Sequence, residues 1–324
     1  MPQNEGQGEP DTANHSRFVL PYLGVTVYEL GMHFGLMFAN TGPFASARGV
    51  ADLAQVAENV GFESIWTVEH VIWPSDYGSQ YPYSPTGKMP GDSSTPIPDP
   101  LIWLSFAAAH TSTIKLATGI LILPERNPLV LAKSTATLDV LSEGRLILGI
   151  GVGWLEEEFD ALGIPFERRG QRTDEYVSAM QALWTSDEAS FSGEFASFNN
   201  VSSNPKPVGG EIPIVVGGHT KVAARRAGRL GHGFFPGKGD LGQLAELFDI
   251  ARQTAANAGR DPQAIELTAP HPGIFGDDPV GAAEELASLG VSRTTIPAFM
   301  MAKGSPADRA AEIAERIIAP CADI

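Results

Sequence analysis

Cysteine is nearly absent from this sequence, with one residue, Cys321, in 324. That excludes an intramolecular disulfide or a thiolate zinc cage and fits a reducing cytoplasm. Basic residues are also scarce: 22 Lys and Arg stand against 38 Asp and Glu, a formal net charge of −16. Such a surface repels nucleic-acid backbones and anionic lipid unless a local basic patch intervenes, and no such patch occurs. No apolar run approaches the roughly 20 residues that span a bilayer. The first seventeen residues are polar and lack the basic-then-apolar run of a signal peptide, so export is not expected. Seven scattered histidines form no HxxxH or HExxH pair, which argues against a helix-borne metal site. Neither a GxSxG elbow nor a GxxxxGK[ST] loop is present.

What is present is the composition of a packed enzyme-sized body, 43% hydrophobic and 19% charged. From Met32 onward, short β-branched runs alternate with alanine-rich stretches, the pattern of repeated βα units on a parallel sheet. Strands are expected at 33–39, 63–69, 115–121, 145–151, 213–216, 233–236, 265–269 and 293–297. Helices are expected at 45–60, 101–111, 128–141, 171–184, 244–257, 280–289 and 307–317, with a hairpin near Ser192-Gly193. Eight units ending in a helix favour closure over an open sheet, since closure removes the edges. The expected fold is a single-domain α/β (β/α)₈ TIM barrel over residues 32–324. It carries a long loop after strand two, 73–98, rich in Pro, Gly, Ser and Tyr. Residues 1–31 form an N-terminal extension, of which 1–17 are expected to be disordered. The apolar segment 18–28 is either an added strand or a surface-packed tail.

In a barrel, chemistry gathers on the loops after the strands. After strand two, TVEHVIWP places Glu69 and His70 at the rim with Trp73 beyond. A histidine there can exchange a proton near neutral pH and a tryptophan can wall an aromatic ring, although a capping His beside a core Trp is the plain alternative. After strand three, Gly119 interrupts a strong strand between Thr118 and Ile120, which marks either a close backbone approach to a ligand or a barrel kink. After strand four, GIGVGWLEEEF alternates Gly149, Gly151 and Gly153 ahead of Trp154. The spacing and mid-chain position are wrong for a dinucleotide fingerprint, and small residues there would let a planar ligand lie on the strand ends. After strand five, Gly217, Gly218, His219 and Thr220 lead directly into a helix, whose free amides and dipole suit a phosphate, or else form an ordinary cap. The run ERRGQR at 167–172 is read as surface ion pairing with the nearby acids Glu156–Glu158.

Taken together, HFGLMFANTGPF, SIWTVEHVIWP, the stretch from DPLIWLSF through LPERNPLVLAKSTATLDVLSEGRLILGIGVGWLEEEF to ERRGQRTDE, and PIVVGGHTKVAARRAGRLGHGFFP resemble the bacterial luciferase-like monooxygenase family. The likeness is greatest to the branch that uses the deazaflavin coenzyme F420, and it extends over about 32–318. The resemblance implies a (β/α)₈ barrel, often dimeric, with a non-prolyl cis peptide after strand three behind the cofactor ring. On this chain that bond would be Gly119–Ile120 or Ile120–Leu121. Glu69, His70 and Trp73 match the branch's acid-His-aromatic pocket segment, where the usual acid is Asp, and Gly217, Gly218, His219 and Thr220 match its phosphate loop.

The function expected on this basis is hydride transfer between deazaflavin C5 and a small organic substrate, in a cytoplasmic homodimer. His70 is the expected proton-moving group and Glu69 its orienting or relay partner. Thr118, Gly119, Ile120, Gly151, Gly153, Gly217, Gly218, His219 and Thr220 are the expected cofactor-binding residues, and Trp73 and Trp154 the substrate-pocket walls. Two alternatives stand beside this: an FMN-dependent monooxygenase of the same family, and a cofactor-binding protein without turnover.

Overall fold

The alternation of β-branched runs and alanine-rich stretches produces parallel strands joined by helices in the computed structural model, which describes residues 31–324. In chain order the elements begin with β1 (His33–Met37), α1 (Ala47–Asn59), β2 (Ser64–Thr67), α2 (Pro100–Ala108), β3 (Lys115–Thr118), β4 (Leu121–Ile122), α3 (Pro128–Leu141) and β5 (Leu146–Gly151). Next come α4 (Glu156–Leu162), α5 (Arg169–Thr185), β6 (Ala189–Ser192), β7 (Ser197–Val201), β8 (Ile214–Gly217) and α6 (Lys221–Leu230). The last are β9 (Gly233–Phe235), α7 (Leu241–Asn257), β10 (Glu266–Leu267), α8 (Pro279–Ser288), β11 (Arg293–Pro297) and α9 (Pro306–Ile313).

Eight strands pair side by side in the order β11-β1-β2-β3-β5-β8-β9-β10, and every pairing is parallel. A parallel bridge between Thr268, just past β10, and Arg293 in β11 brings the two ends of this order together. Ser292 N donates to Leu267 O at 3.0 Å and Ala269 N to Arg293 O at 3.1 Å across the same seam. The result is the (β/α)₈ TIM barrel expected from the sequence.

Because neighbouring strand residues point to opposite faces, alternate positions fill the interior. Trp66, Ala117, Ile147, Val215 and Phe235 form one buried cluster there, with Met37 against it. Trp66 is the largest of these and fits because its neighbours are small. A Cβ on Gly35 would lie 2.6 Å from its Nε1, and one on Gly119 would lie 3.0 Å from its Cε3. Beneath Trp66, Arg293 is buried and pairs with Glu63 at 2.8 Å and with Glu266, while Lys115 joins Glu63 at 2.8 Å. These charges close the end of the barrel at the amino ends of the strands, the end that serves stability rather than chemistry. A second, larger apolar cluster lies between the strands and the helices.

Three segments differ from expectation. Strand three is broken: β3 ends at Thr118 and β4 starts at Leu121, with a cis peptide at Gly119–Ile120 between them. The first of the two candidate positions for that bond is therefore the one occupied. The stretch after β5, where no helix was expected, is the short helix α4, which buries Glu158 and Phe159. The expected ion pairing of ERRGQR with Glu156–Glu158 does not occur. Arg168 instead pairs with Glu194 at 2.5 Å, and Arg169 donates to Gly153 O at 3.1 Å while lying 3.7 Å over the Phe166 ring. The hairpin is β6–β7, turned at Gly193. The expectations for 1–17 and 18–28 lie outside the described residues.

Candidate active site

The carboxyl ends of the strands bring five segments to one rim. Asn40, after β1, is fully buried and ties two of them together. Its Oδ1 accepts from Val68 N at 2.8 Å, and its Nδ2 donates to Val68 O at 2.8 Å and to Pro98 O at 2.9 Å. One side chain thus ties the segment just past β2 to the far end of the long 73–98 loop. A buried amide with three satisfied bonds holds its partners firmly, because breaking any of them strands a polar group.

His70 leaves the end of β2 toward α4, not toward Glu69. Its Nδ1 lies 2.7 Å from Glu158 Oε2, and the other oxygen of Glu158 accepts from Val71 N at 2.6 Å and Ile72 N at 3.2 Å. This corrects the expected pairing: Glu158 orients His70. Glu69 turns inward and accepts from Arg126 Nε at 2.9 Å and from Ile122 N, and Arg126 also binds Asp99 at 2.7 Å. Burial raises the Glu69 carboxyl above its ordinary range, and Arg126 pulls it back. Beside these groups stands Glu125, 8% exposed, with no hydrogen-bond partner on either oxygen. Burial, then the carboxylates of Glu158 and Glu69, push its pKa up to about 9.

The glycines expected to admit a planar ligand have protein where a side chain would point. A Cβ on Gly151 would lie 2.5 Å from Ile120 Cδ1, and one on Gly217 2.5 Å from Ile120 Cγ2. Ile120, Gly151 and Gly217, from three separate segments, therefore meet around one isoleucine side chain. Gly153, at φ +78°, makes room for Phe159 and Ile122, and Thr118 donates its hydroxyl to Gly149 O at 2.6 Å.

Opposite His70, Gly218 has φ +123°, open to glycine and disfavoured for other residues. Thr220 caps α6, its hydroxyl accepting from Ala223 N at 3.2 Å. The amides of Lys221 and Val222, ahead of that bond, have no acceptor among the described residues. His219 has a buried Nδ1 without a partner, and burial followed by the Lys238 charge lowers its pKa.

A chain of rings joins the two halves. Trp154 lies 5.8 Å from His70, 5.7 Å from Tyr77 and 5.2 Å from Tyr81, all edge-on. Tyr83 continues from Tyr81 at 5.5 Å to His219 at 5.2 Å, and Trp73 lies 6.5 Å from His70. Trp73 and Trp154 thus both stand beside His70. Tyr77, Tyr81, Tyr83, Glu158, Glu125, Arg126 and Asn40 were not singled out from sequence. The tyrosines had a signal, in that the long loop was rich in them. Glu158 had none beyond lying in an acidic run.

Among known proteins, this chain is 37% identical over 241 residues to an uncharacterized protein of Mycobacterium tuberculosis, covering 73% of this chain and 83% of that one. It is 31% identical over 252 residues to the F420-dependent glucose-6-phosphate dehydrogenase of Kineococcus radiotolerans, covering 76% and 69% of the two. It is 31% identical over 209 residues to the FMNH2-dependent dimethylsulfone monooxygenase of Pseudomonas fluorescens, covering 63% and 52%. Relatives of both cofactor types therefore occur. The coenzyme F420-dependent tetrahydromethanopterin reductase of Methanopyrus kandleri superposes with a TM-score of 0.69 at 18% identity, over 91% of this chain and all of that one, a likeness of fold. The family model for luciferase-like monooxygenases matches residues 32–319, nearly the whole of the described barrel. The eight-stranded barrel, the rim that gathers His70 and the α6 start, and these likenesses converge: the chain belongs to the luciferase-like monooxygenase family.

Proposed function

We propose that this protein is an F420-dependent oxidoreductase that moves a hydride between the cofactor and a small organic substrate, with His70 exchanging the accompanying proton. The observation that carries the reading is the His70–Glu158 pair, 2.7 Å apart, set at the same rim as the free amides of α6. With Nδ1 engaged by Glu158, Nε2 remains to take or give a proton. The first turn of α6, with Gly218 ahead of it, fits an anionic group through unpaired N–H bonds and the helix dipole. Ile120, braced by Gly151 and Gly217, offers a half-buried apolar floor against which a flat ring can lie. When bound there, coenzyme F420 supplies hydride donation and acceptance at C5. The F420-dependent relative at 31% identity supports this choice of cofactor.

An FMN-dependent monooxygenase is the second reading, favoured by the FMNH2-dependent relative. Titrating the purified protein with F420 and with FMN, each followed by its own fluorescence, separates the two. Tighter binding of F420 is expected, and preferential binding of FMN would overturn the first reading.

A homodimer belongs to the proposal. Ile102 and Phe106 on α2 and Val130 on α3 are 73%, 42% and 65% exposed, an apolar surface on the outer ring that a second copy would cover. A cytoplasmic location also belongs here. No helix among the described residues is long and apolar enough to cross a membrane, and the net charge of −16 leaves nucleic acid and anionic lipid outside the proposal.

A further inference from the structure

A continuous run of rings links His70 to the α6 start, from Trp154 through Tyr81 and Tyr83 to His219, with carboxyl groups behind it on the His70 side. Trp154 is the hub of the ring chain, touching His70, Tyr77 and Tyr81 within 5.8 Å. It stands on the same short segment that delivers Glu158 to His70, so the wall and the proton-moving pair share one support.

The charges around this wall are unevenly placed. Behind His70 lie Glu158 and Glu69, both buried, with Asp99 beside them. Glu157, one residue before Glu158, holds the roof by accepting from Gly78 N at 2.6 Å, and its second oxygen is buried without a partner. The cations nearby are already engaged. Arg126 is held between Glu69 and Asp99. Lys88 donates to Tyr77 O at 2.6 Å and lies 4.0 Å over the Tyr77 ring, and Lys238 donates to Pro82 O. A second anion entering on the His70 side would meet carboxyl groups in a low-dielectric setting and, among the described residues, no free guanidinium or ammonium.

We propose that this mouth takes an uncharged substrate with a flat apolar or aromatic surface, seated on Trp154, and rejects phosphorylated and carboxylate substrates. Flat rings satisfy edge-on and offset contacts with Trp154, Tyr77 and Tyr81 without needing a counter-charge. Among the described residues, the anion-binding feature at the rim is the α6 start, which the cofactor would occupy. This inference rests on reading the mouth as a hydride-transfer site.

The test is calorimetric titration of the full chain with acetophenone, benzoate and glucose 6-phosphate, with and without F420. Acetophenone is expected to bind at least ten-fold tighter than benzoate, and glucose 6-phosphate not measurably. Trp154→Ala should weaken acetophenone at least ten-fold and leave F420 affinity within about two-fold, while Trp154→Phe, which keeps a ring, should restore most of the binding. Benzoate or glucose 6-phosphate binding as tightly as acetophenone, no acetophenone binding at all, or acetophenone binding indifferent to Trp154→Ala would each overturn the proposal. The cofactor arm keeps the two readings apart. Ketone preference without F420 binding would sink the hydride-transfer reading alone, whereas F420 binding with anion preference would sink only the substrate assignment.

Discussion

Replacing Glu125 with glutamine should make the protein more stable at neutral pH and leave it unchanged in acid. The carboxyl is buried with both oxygens unpartnered, and its pKa rises from 4.5 to about 9, through burial first and then Glu158 and Glu69. A carboxyl whose native pKa is raised contributes stability that is fully present below its unfolded value of 4.5 and is lost as pH rises toward its native value. Each pH unit in that window costs about 1.4 kcal/mol. From 4.5 to 7 this sums to about 3 kcal/mol, an upper figure because relaxation and water entry soften burial. Glutamine is nearly isosteric with the neutral acid and never ionises, so the variant should gain about 2 to 3 kcal/mol at pH 7. In a chain this long that corresponds to about 3 to 5 °C in melting temperature. The assay is thermal or urea unfolding of both proteins from pH 4 to 9. The two stability curves should coincide near pH 4 and separate steadily above pH 5. Parallel curves across the whole range would refute the reasoning, since they would mean that Glu125 ionises as freely in the native state as in the unfolded chain.

Glu158→Gln removes the charge that faces His70 Nδ1 while keeping an acceptor for Val71 and Ile72. It should lower turnover by roughly 10², and His70→Ala by at least as much, both with cofactor affinity within a few-fold. Steady-state kinetics beside cofactor titration checks this, and an unaltered rate in His70→Ala would remove that residue from the mechanism. Gly218→Val meets both the φ of +123° and Ala223 Cβ only 3.0 Å away, so cofactor affinity should fall more than ten-fold and the melting temperature should drop as well. Thr220→Ala should lose about 1 kcal/mol of stability from the helix cap, read by unfolding of the cofactor-free protein. Arg293→Met removes the buried guanidinium that holds the half-buried Glu63 and Glu266 and should destabilise by roughly 2 to 4 kcal/mol, seen as a lowered unfolding midpoint.

The barrel was legible because its signals are local and repeated. Helix α3 at 128–141 and strand β11 at 293–297 agree with expectation to the residue, each bounded by clear chemistry such as Asn127 capping ahead of Pro128. The rim was legible as a set of loops but not as a set of partners. Glu69 and His70 are adjacent in sequence, yet consecutive residues of an extended segment leave it in opposite directions. One therefore turns in to Arg126 and the other out to α4. Helix α4 has seven residues, too few for a periodic pattern to declare itself, so the burial of Glu158 left no trace in the sequence. The glycines misled in a different way. A missing side chain records that something comes close, without recording whether that neighbour is a ligand or, as with Ile120 and Trp66, another part of the same chain.

The meeting of Ile120 with Gly151 and Gly217 binds three distant stretches of sequence into one unit of variation. A methyl group added at position 151 or 217 alone would overlap the isoleucine, and trimming residue 120 should relieve that overlap. Substitutions here should accordingly be epistatic, with double variants recovering what each glycine replacement loses by itself. Anyone reshaping this floor to accept another ring must treat positions 120, 151 and 217 as a single design variable, and homologues should change them together or leave all three alone.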